Sequence, residues 1–147
     1  MITEQASQGI AIPGVMIPPV STSSVKKSGA VDMTKFRKAM FIVGVGAFGA
    51  SATVDAKIQE SVDTTDGNFT DVAGGAIAQL VAAGGDNRMA ILEVGAGSLT
   101  AGKKFTRVVV TVGTAATLVT AFALGVEAAQ KPGSQNNDTS VAQRLVV

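Results

Sequence analysis

Ala52-Thr53-Val54-Asp55-Ala56-Lys57-Ile58-Gln59 decides the fold class. Ala52, Val54, Ala56 and Ile58 alternate without a break against Thr53, Asp55, Lys57 and Gln59. Successive side chains of a strand point to opposite faces, so this segment lays one face on a core and keeps the other wet. Just upstream, Phe41, Val43 and Val45 alternate with Met40, Ile42 and Gly44. Both sets are apolar or small, which predicts a central strand sandwiched on both sides.

The pattern repeats outward from these two segments. Asp63 to Asn68, with Asp66-Gly67 inside it, is a turn signal, and Phe69 to Val72 reads as a short return strand. Ala76 to Ala83 is open between helix and strand: Ile77, Leu80 and Val81 fit helical spacing, but Gly74-Gly75 and Gly84-Gly85 bound a short segment. Met89 to Val94, Phe105 to Val112 and Leu118 to Glu127 read as strands. In the last, Leu118, Phe122, Leu124 and Val126 share one side, and Val119, Ala121 and Ala123 the other. Val108 to Val126 carries no charge, but Gly113-Thr114-Ala115-Ala116-Thr117 divides it into two strands, so no membrane span is expected. Six or seven short strands without a long helix predict an all-β fold, an antiparallel β-sandwich or jelly-roll-like body over residues 31–128.

Two extended arms flank that body, residues 1–30 and 129–147. Ile10-Ala11-Ile12-Pro13-Gly14-Val15-Met16-Ile17-Pro18-Pro19-Val20 is apolar yet interrupted by three prolines, which exclude helix interiors and central strands. It is also too hydrophobic for a solvated linker. The expectation is an arm that lies on a partner, jointed at Ser21-Thr22-Ser23-Ser24. Leu145-Val146-Val147 forms an apolar tip that could add as an edge strand to this body or another subunit. The candidate interface residues are therefore Ile10, Ile12, Pro13, Val15, Met16, Ile17, Pro18, Pro19, Val20, Leu145, Val146 and Val147. Residues 1–38 hold five basic side chains against two acidic, and residues 39–127 five against eight. A basic arm and an acidic body could dock on each other or on a neighbour.

Composition removes most chemistry. The 147 residues include no His, Cys, Tyr or Trp, the types on which nucleophilic, general-base and metal-ligand roles mostly draw. No catalytic, cofactor-binding or metal-binding residues are expected. A net charge of +1 argues against a nucleic-acid partner. Lys103, Lys104 and Arg107 with Phe105 read as a solvated strand entry. Asp63, Asp66, Asn68 and Asp71 crowd one loop without the spacing of a calcium-binding hand. Gly44-Val45-Gly46-Ala47-Phe48-Gly49 matches the glycine offsets of a dinucleotide fingerprint, but a strand follows it where a helix would be needed. The first residues, Met1-Ile2-Thr3-Glu4-Gln5, lack the basic and apolar regions of a signal peptide, so synthesis in a cytoplasm without export by that route is expected.

From Val31 to Ala128 the chain resembles small virion proteins of tailed bacteriophages. The resemblance is carried by Met40-Phe41-Ile42-Val43-Gly44-Val45-Gly46-Ala47, by Ala52 to Ser61, by Asp66-Gly67-Asn68-Phe69-Thr70-Asp71-Val72 and by Ala76-Ile77-Ala78-Gln79-Leu80. It implies a β-sandwich decoration (cement) protein on the capsid exterior, a structural protein and no enzyme. Its partners would be the major capsid protein and neighbouring copies of itself, with neither nucleic acid nor membrane involved. No residue role carries over, since such proteins work through surfaces. The alternatives are a structural protein of the tail or head–tail connector and a ligand-binding, for example carbohydrate-binding, β-sandwich module. The missing Tyr and Trp count against the latter.

Overall fold

The computed structural model describes residues 5–20 and 24–146, with the side chains of residues 17–20 left aside. Ten strands follow one short helix, α1 (Ala6–Gly9). They are β1 (Ala11–Val20), β2 (Ser24–Lys27), β3 (Val31–Asp32), β4 (Phe36–Phe48), β5 (Thr53–Ser61), β6 (Thr70–Ala76), β7 (Leu80–Val81), β8 (Arg88–Gly95), β9 (Phe105–Gly113) and β10 (Thr117–Ala128). All pairings are antiparallel. One sheet has four strands in the order β1-β10-β4-β8. The other runs β2-β9-β5-β6, with β3 also on β9 and β7 also on β5.

The two sheets enclose one core. Phe41, Val43 and Val45 of β4 and Val119, Ala121 and Ala123 of β10 face Val54, Ala56 and Ile58 of β5 and Val108, Val110 and Val112 of β9. Alternation on β5 is as expected: its apolar residues are buried and Asp55, Lys57 and Gln59 half-exposed. Val108 to Val126 is two strands, β9 and β10, and among the described residues no helix is long and apolar enough to cross a membrane. The ambiguous 76–83 stretch holds the end of β6, the two-residue β7 and the start of a turn in which Gly84 takes a φ of +87°.

The N-terminal arm needs correction. Ala11–Val20 is no free arm but the edge strand of the four-stranded sheet, paired with β10. Ala11 and Met16 are core residues, 2% and 5% exposed. The prolines permit this because they fall where the ladder breaks. Register shifts lie between Ala11 and Gly14 and between Met16 and Val20, the gaps that hold Pro13 and Pro18-Pro19. A residue without an N–H is tolerated on an edge strand or at a bulge, though not in a central strand.

Gly14 shows how closely this strand seats. The Gly29 N–H donates to the Val15 carbonyl at 3.2 Å, and a Cβ on Gly14 would come within 2.5 Å of the Gly29 carbonyl oxygen. The C-terminal segment then clasps the same strand. The Ile12 N–H donates to Asn137 Oδ1 at 2.8 Å, and the Asp138 N–H donates to the Ile12 carbonyl at 2.7 Å. Beyond Asp138 the chain forms no strand among the described residues.

The opposite edge of this sheet is β8, which pairs only with β4. Its eight residues carry no proline and no lysine, the devices that commonly blunt an edge.

Candidate functional site

The outward faces of the two sheets differ in kind. On the β2-β9-β5-β6 sheet the outward side chains form a polar lattice. Lys27 Nζ lies 2.7 Å from Asp66 Oδ2, and Arg107 bonds Asp66 Oδ1. The Arg107 side chain is only 8% exposed; its guanidinium stacks 3.8 Å from the Phe69 ring centroid and donates from Nε and Nη2 to Gln59 Oε1. Asp71 accepts from Lys57 Nζ at 2.7 Å and from Gln59 Nε2 at 2.8 Å. Asp63 accepts from the Thr65 N–H and Asn68 Nδ2. The crowded acidic loop is thus engaged with cations, amides and its own backbone. Among the described residues no cluster of three or more acidic side chains could hold a metal ion, and no buried side-chain polar atom lacks a partner. Lys27, in the basic N-terminal part, meets the acidic body of its own chain.

These contacts pull three carboxyls below the ordinary aspartate range. Asp66 is lowered by its hydrogen bond from Lys27 and then by that from Arg107. Asp71 is lowered by Lys57 and then Gln59, and Asp63 by the Thr65 N–H foremost. A carboxyl lowered in the folded state stabilises the protein above its unfolded value, near 3.8, and that stabilisation is lost as pH falls through the lowered value. We expect the denaturant midpoint to hold steady above about pH 5 and to decline as pH falls below it. In Asp66→Asn the midpoint at neutral pH should be lower and the acid decline shallower. An unchanged acid slope would show that the Lys27–Asp66–Arg107 contact contributes nothing. All three groups are exposed, so the effect is modest.

The outward face of the four-stranded sheet is greasy. Strand register sets Val15, Phe122, Ile42 and Ile91 side by side across β1, β10, β4 and β8. Leu124, Met40 and Glu93 form the next row on one side, and Thr120, Gly44 and Met89 on the other. Met89 is 75%, Ile91 63% and Leu118 54% exposed. Thr120 adds little polarity, because its hydroxyl donates to the Met16 carbonyl at 3.4 Å and its methyl lies over Gly44. Gly44 and Gly46, lacking side chains, floor an open hollow of about 450 Å³ walled by Met89, Leu118, Thr120 and Arg88. The fingerprint-like glycines therefore shape a depression in a strand. Sheets of a sandwich usually turn polar residues outward, and this one turns apolar ones.

The interface residues expected from sequence disperse. Met16 lies in the chain's own core. Ile10 and Ile12 line a hollow of about 280 Å³ that Val141 and Arg144 of the C-terminal segment also line, so the two apolar ends partly meet each other. Pro13 is half-buried beside its bulge, and Val15 belongs to the apolar row. Leu145 is 87% exposed and Val146 41%. Val147, the side chains of Ile17, Pro18, Pro19 and Val20, and the Ser21-Thr22-Ser23 joint lie outside the described residues.

Sequence reasoning missed the outward face itself, although the signal was present. β4 and β10 are apolar on both sides, and a two-layer sandwich covers only one. β4 is central within its sheet, but this chain leaves its second face open. Compared with known proteins, the chain matches no family model and no curated relative.

Proposed function

We propose that this chain is a non-catalytic structural protein that works by adhesion, a decoration (cement) protein that binds the major capsid protein shell of a tailed bacteriophage and stabilises it. The observation that carries the adhesive part is the uncovered apolar face of the β1-β10-β4-β8 sheet, with Met89 and Ile91 mostly in solvent. Exposure of that extent is costly unless another surface covers it. The strand order supports the virion part. The order β1-β10-β4-β8 against β2-β9-β5-β6, with the chain passing repeatedly between sheets, favours reading the sandwich as a jelly roll. Viral capsid domains commonly use it, as do lectins and cupins, so the topology supports the reading by analogy only. The absence of His and Cys suits a protein whose work is contact. Repeated attachment to a symmetric shell would add many modest contacts into firm binding.

The test uses purified shells stripped of accessory proteins. The full chain should co-sediment with them at a high, fixed ratio and raise the temperature at which they come apart. Only a few copies per particle would favour the tail or connector, and no association at all would remove the virion reading.

A further inference from the structure

We propose that β8 pairs antiparallel with β8 of a second copy across a two-fold axis at Ile91, joining the two four-stranded sheets edge to edge. The pairing uses main-chain groups, so it holds whether or not the apolar face binds a shell.

Register identifies the groups that bond. β8 runs against β4 without a shift, from Arg88 opposite Val45 to Gly95 opposite Lys38. One residue earlier in the same register, the Asn87 N–H donates to the Gly46 carbonyl at 3.2 Å. In an antiparallel ladder, residues that bond their neighbour alternate with residues whose N–H and carbonyl point the other way. Asn87, Met89, Ile91 and Glu93 therefore bond β4, while the main-chain groups of Arg88, Ala90, Leu92 and Val94 point off the sheet. Among the described residues, none of those outward groups takes a hydrogen bond. A straight row of unpaired groups, with no proline, lysine or bulge, is a template for another strand.

The row matches itself. An incoming strand must be straight and apolar on both sides. One side continues the core face of Leu92 and Val94, and the other the outward face of Met89 and Ile91. Among the edges this chain offers, β8 alone meets both demands. β1 is broken in register, β6 bulges, β2 carries Lys26 and Lys27, and β3 and β7 have two residues each. With the axis at Ile91, every outward group finds a partner. Arg88 exchanges hydrogen bonds with the partner's Val94, and Ala90 with the partner's Leu92. Small Ala90 then lies beside larger Leu92 on the core side, twice over. On the outer side Ile91, 63% exposed in the single chain, meets the partner's Ile91 as a β-branched pair, and Met89 meets the partner's Glu93. No like charges lie opposite each other. The row Val15-Phe122-Ile42-Ile91 continues into its own copy, and both apolar faces look the same way.

Sedimentation equilibrium of the full chain tests this, and the mass should be twice 14.7 kDa. Ala90→Pro deletes an N–H that β4 does not use. The chain should stay folded while the dimer weakens ~10-fold or more. Ile91→Lys, at an exposed position, should keep the fold and set two ammonium groups face to face, with a similar loss. Leu118→Lys, two strands away on β10, should leave the dimer intact. The chain has no cysteine, so single cysteines report the register. Opposed residues of a non-bonded antiparallel pair lie about 4.5 Å apart between Cα atoms, within disulfide reach. Ile91→Cys should therefore oxidise to a covalent dimer. Met89→Cys should not, because the axis separates its two copies by ~13 Å. A monomeric wild type, a dimer that survives both Ala90→Pro and Ile91→Lys, or a cross-link through Met89→Cys in place of Ile91→Cys would each overturn the proposal. A monomer that loses stripped shells on Ala90→Pro would give the edge to a capsid strand, overturning the second copy and keeping the adhesive reading. A dimer with the expected responses that ignores stripped shells keeps the pairing and removes the adhesive reading.

Discussion

Deleting residues 1–20 should abolish the cooperative unfolding transition of this protein. The deletion bares β10, which now lies between β1 and β4, and removes Ala11 and Met16 from the core. It also strips the partners of Asn137, Asp138 and Gly29, whose hydrogen bonds end on Ile12 and Val15. Met16 alone reports on the same strand: Met16→Ala should cost about 2–4 kcal/mol, a large part of the stability of an ordinary domain. Thermal and urea unfolding, followed by far-ultraviolet circular dichroism, measure both. A truncated chain that still unfolds cooperatively, within about 1 kcal/mol of the intact one, would show β1 to be an attachment to an independent body and would restore the picture of a detachable arm.

The second large effect sits where Phe36 meets Gly125. Ala11, Gly125 and Ala39 lie abreast on β1, β10 and β4, and the Phe36 ring, 2% exposed, fills the room these small residues leave. A Cβ on Gly125 would lie 2.7 Å from three ring carbons. Gly125→Val must therefore push the ring from its place, at about 2–3 kcal/mol, while Phe36→Ala empties the site at about 3–5 kcal/mol. The two changes compensate in space, so the double variant should be less destabilised than the sum by about 1–3 kcal/mol. Strict additivity in urea denaturation would mean that ring and glycine do not share one volume.

Much of this architecture was legible because its physics is local. The alternation of β5, the Val-rich β9 and the Asp66-Gly67 turn declare themselves over a few residues each. β1 was not legible by the same means. Its prolines disqualify a central strand, and only its position at the edge, with breaks in register at Pro13 and Pro18-Pro19, makes them admissible. Edge position is set by the whole topology.

β10 carried a different ambiguity. Its two faces are both apolar, and the bulkier set, Phe122, Leu124 and Val126, invites assignment to the core. The smaller Ala121 and Ala123 go inward instead, because Phe41 and Val43 from β4 and the valines of β9 already fill that space. The apolar outward face went unread for the same reason. An apolar residue left outward cannot be told from one turned inward until the number of layers is known.

The prolines of β1 have one more consequence. A sheet with two receptive margins can add molecules indefinitely and grow into a fibre. Here one margin is sealed, since Pro13, Pro18 and Pro19 have no N–H to offer an incoming strand and Gly29 occupies the Val15 carbonyl. Only β8 can accept a newcomer, so lateral recruitment on this sheet halts once a single guest has docked. The chain can thus be packed at high local density without polymerising through this sheet.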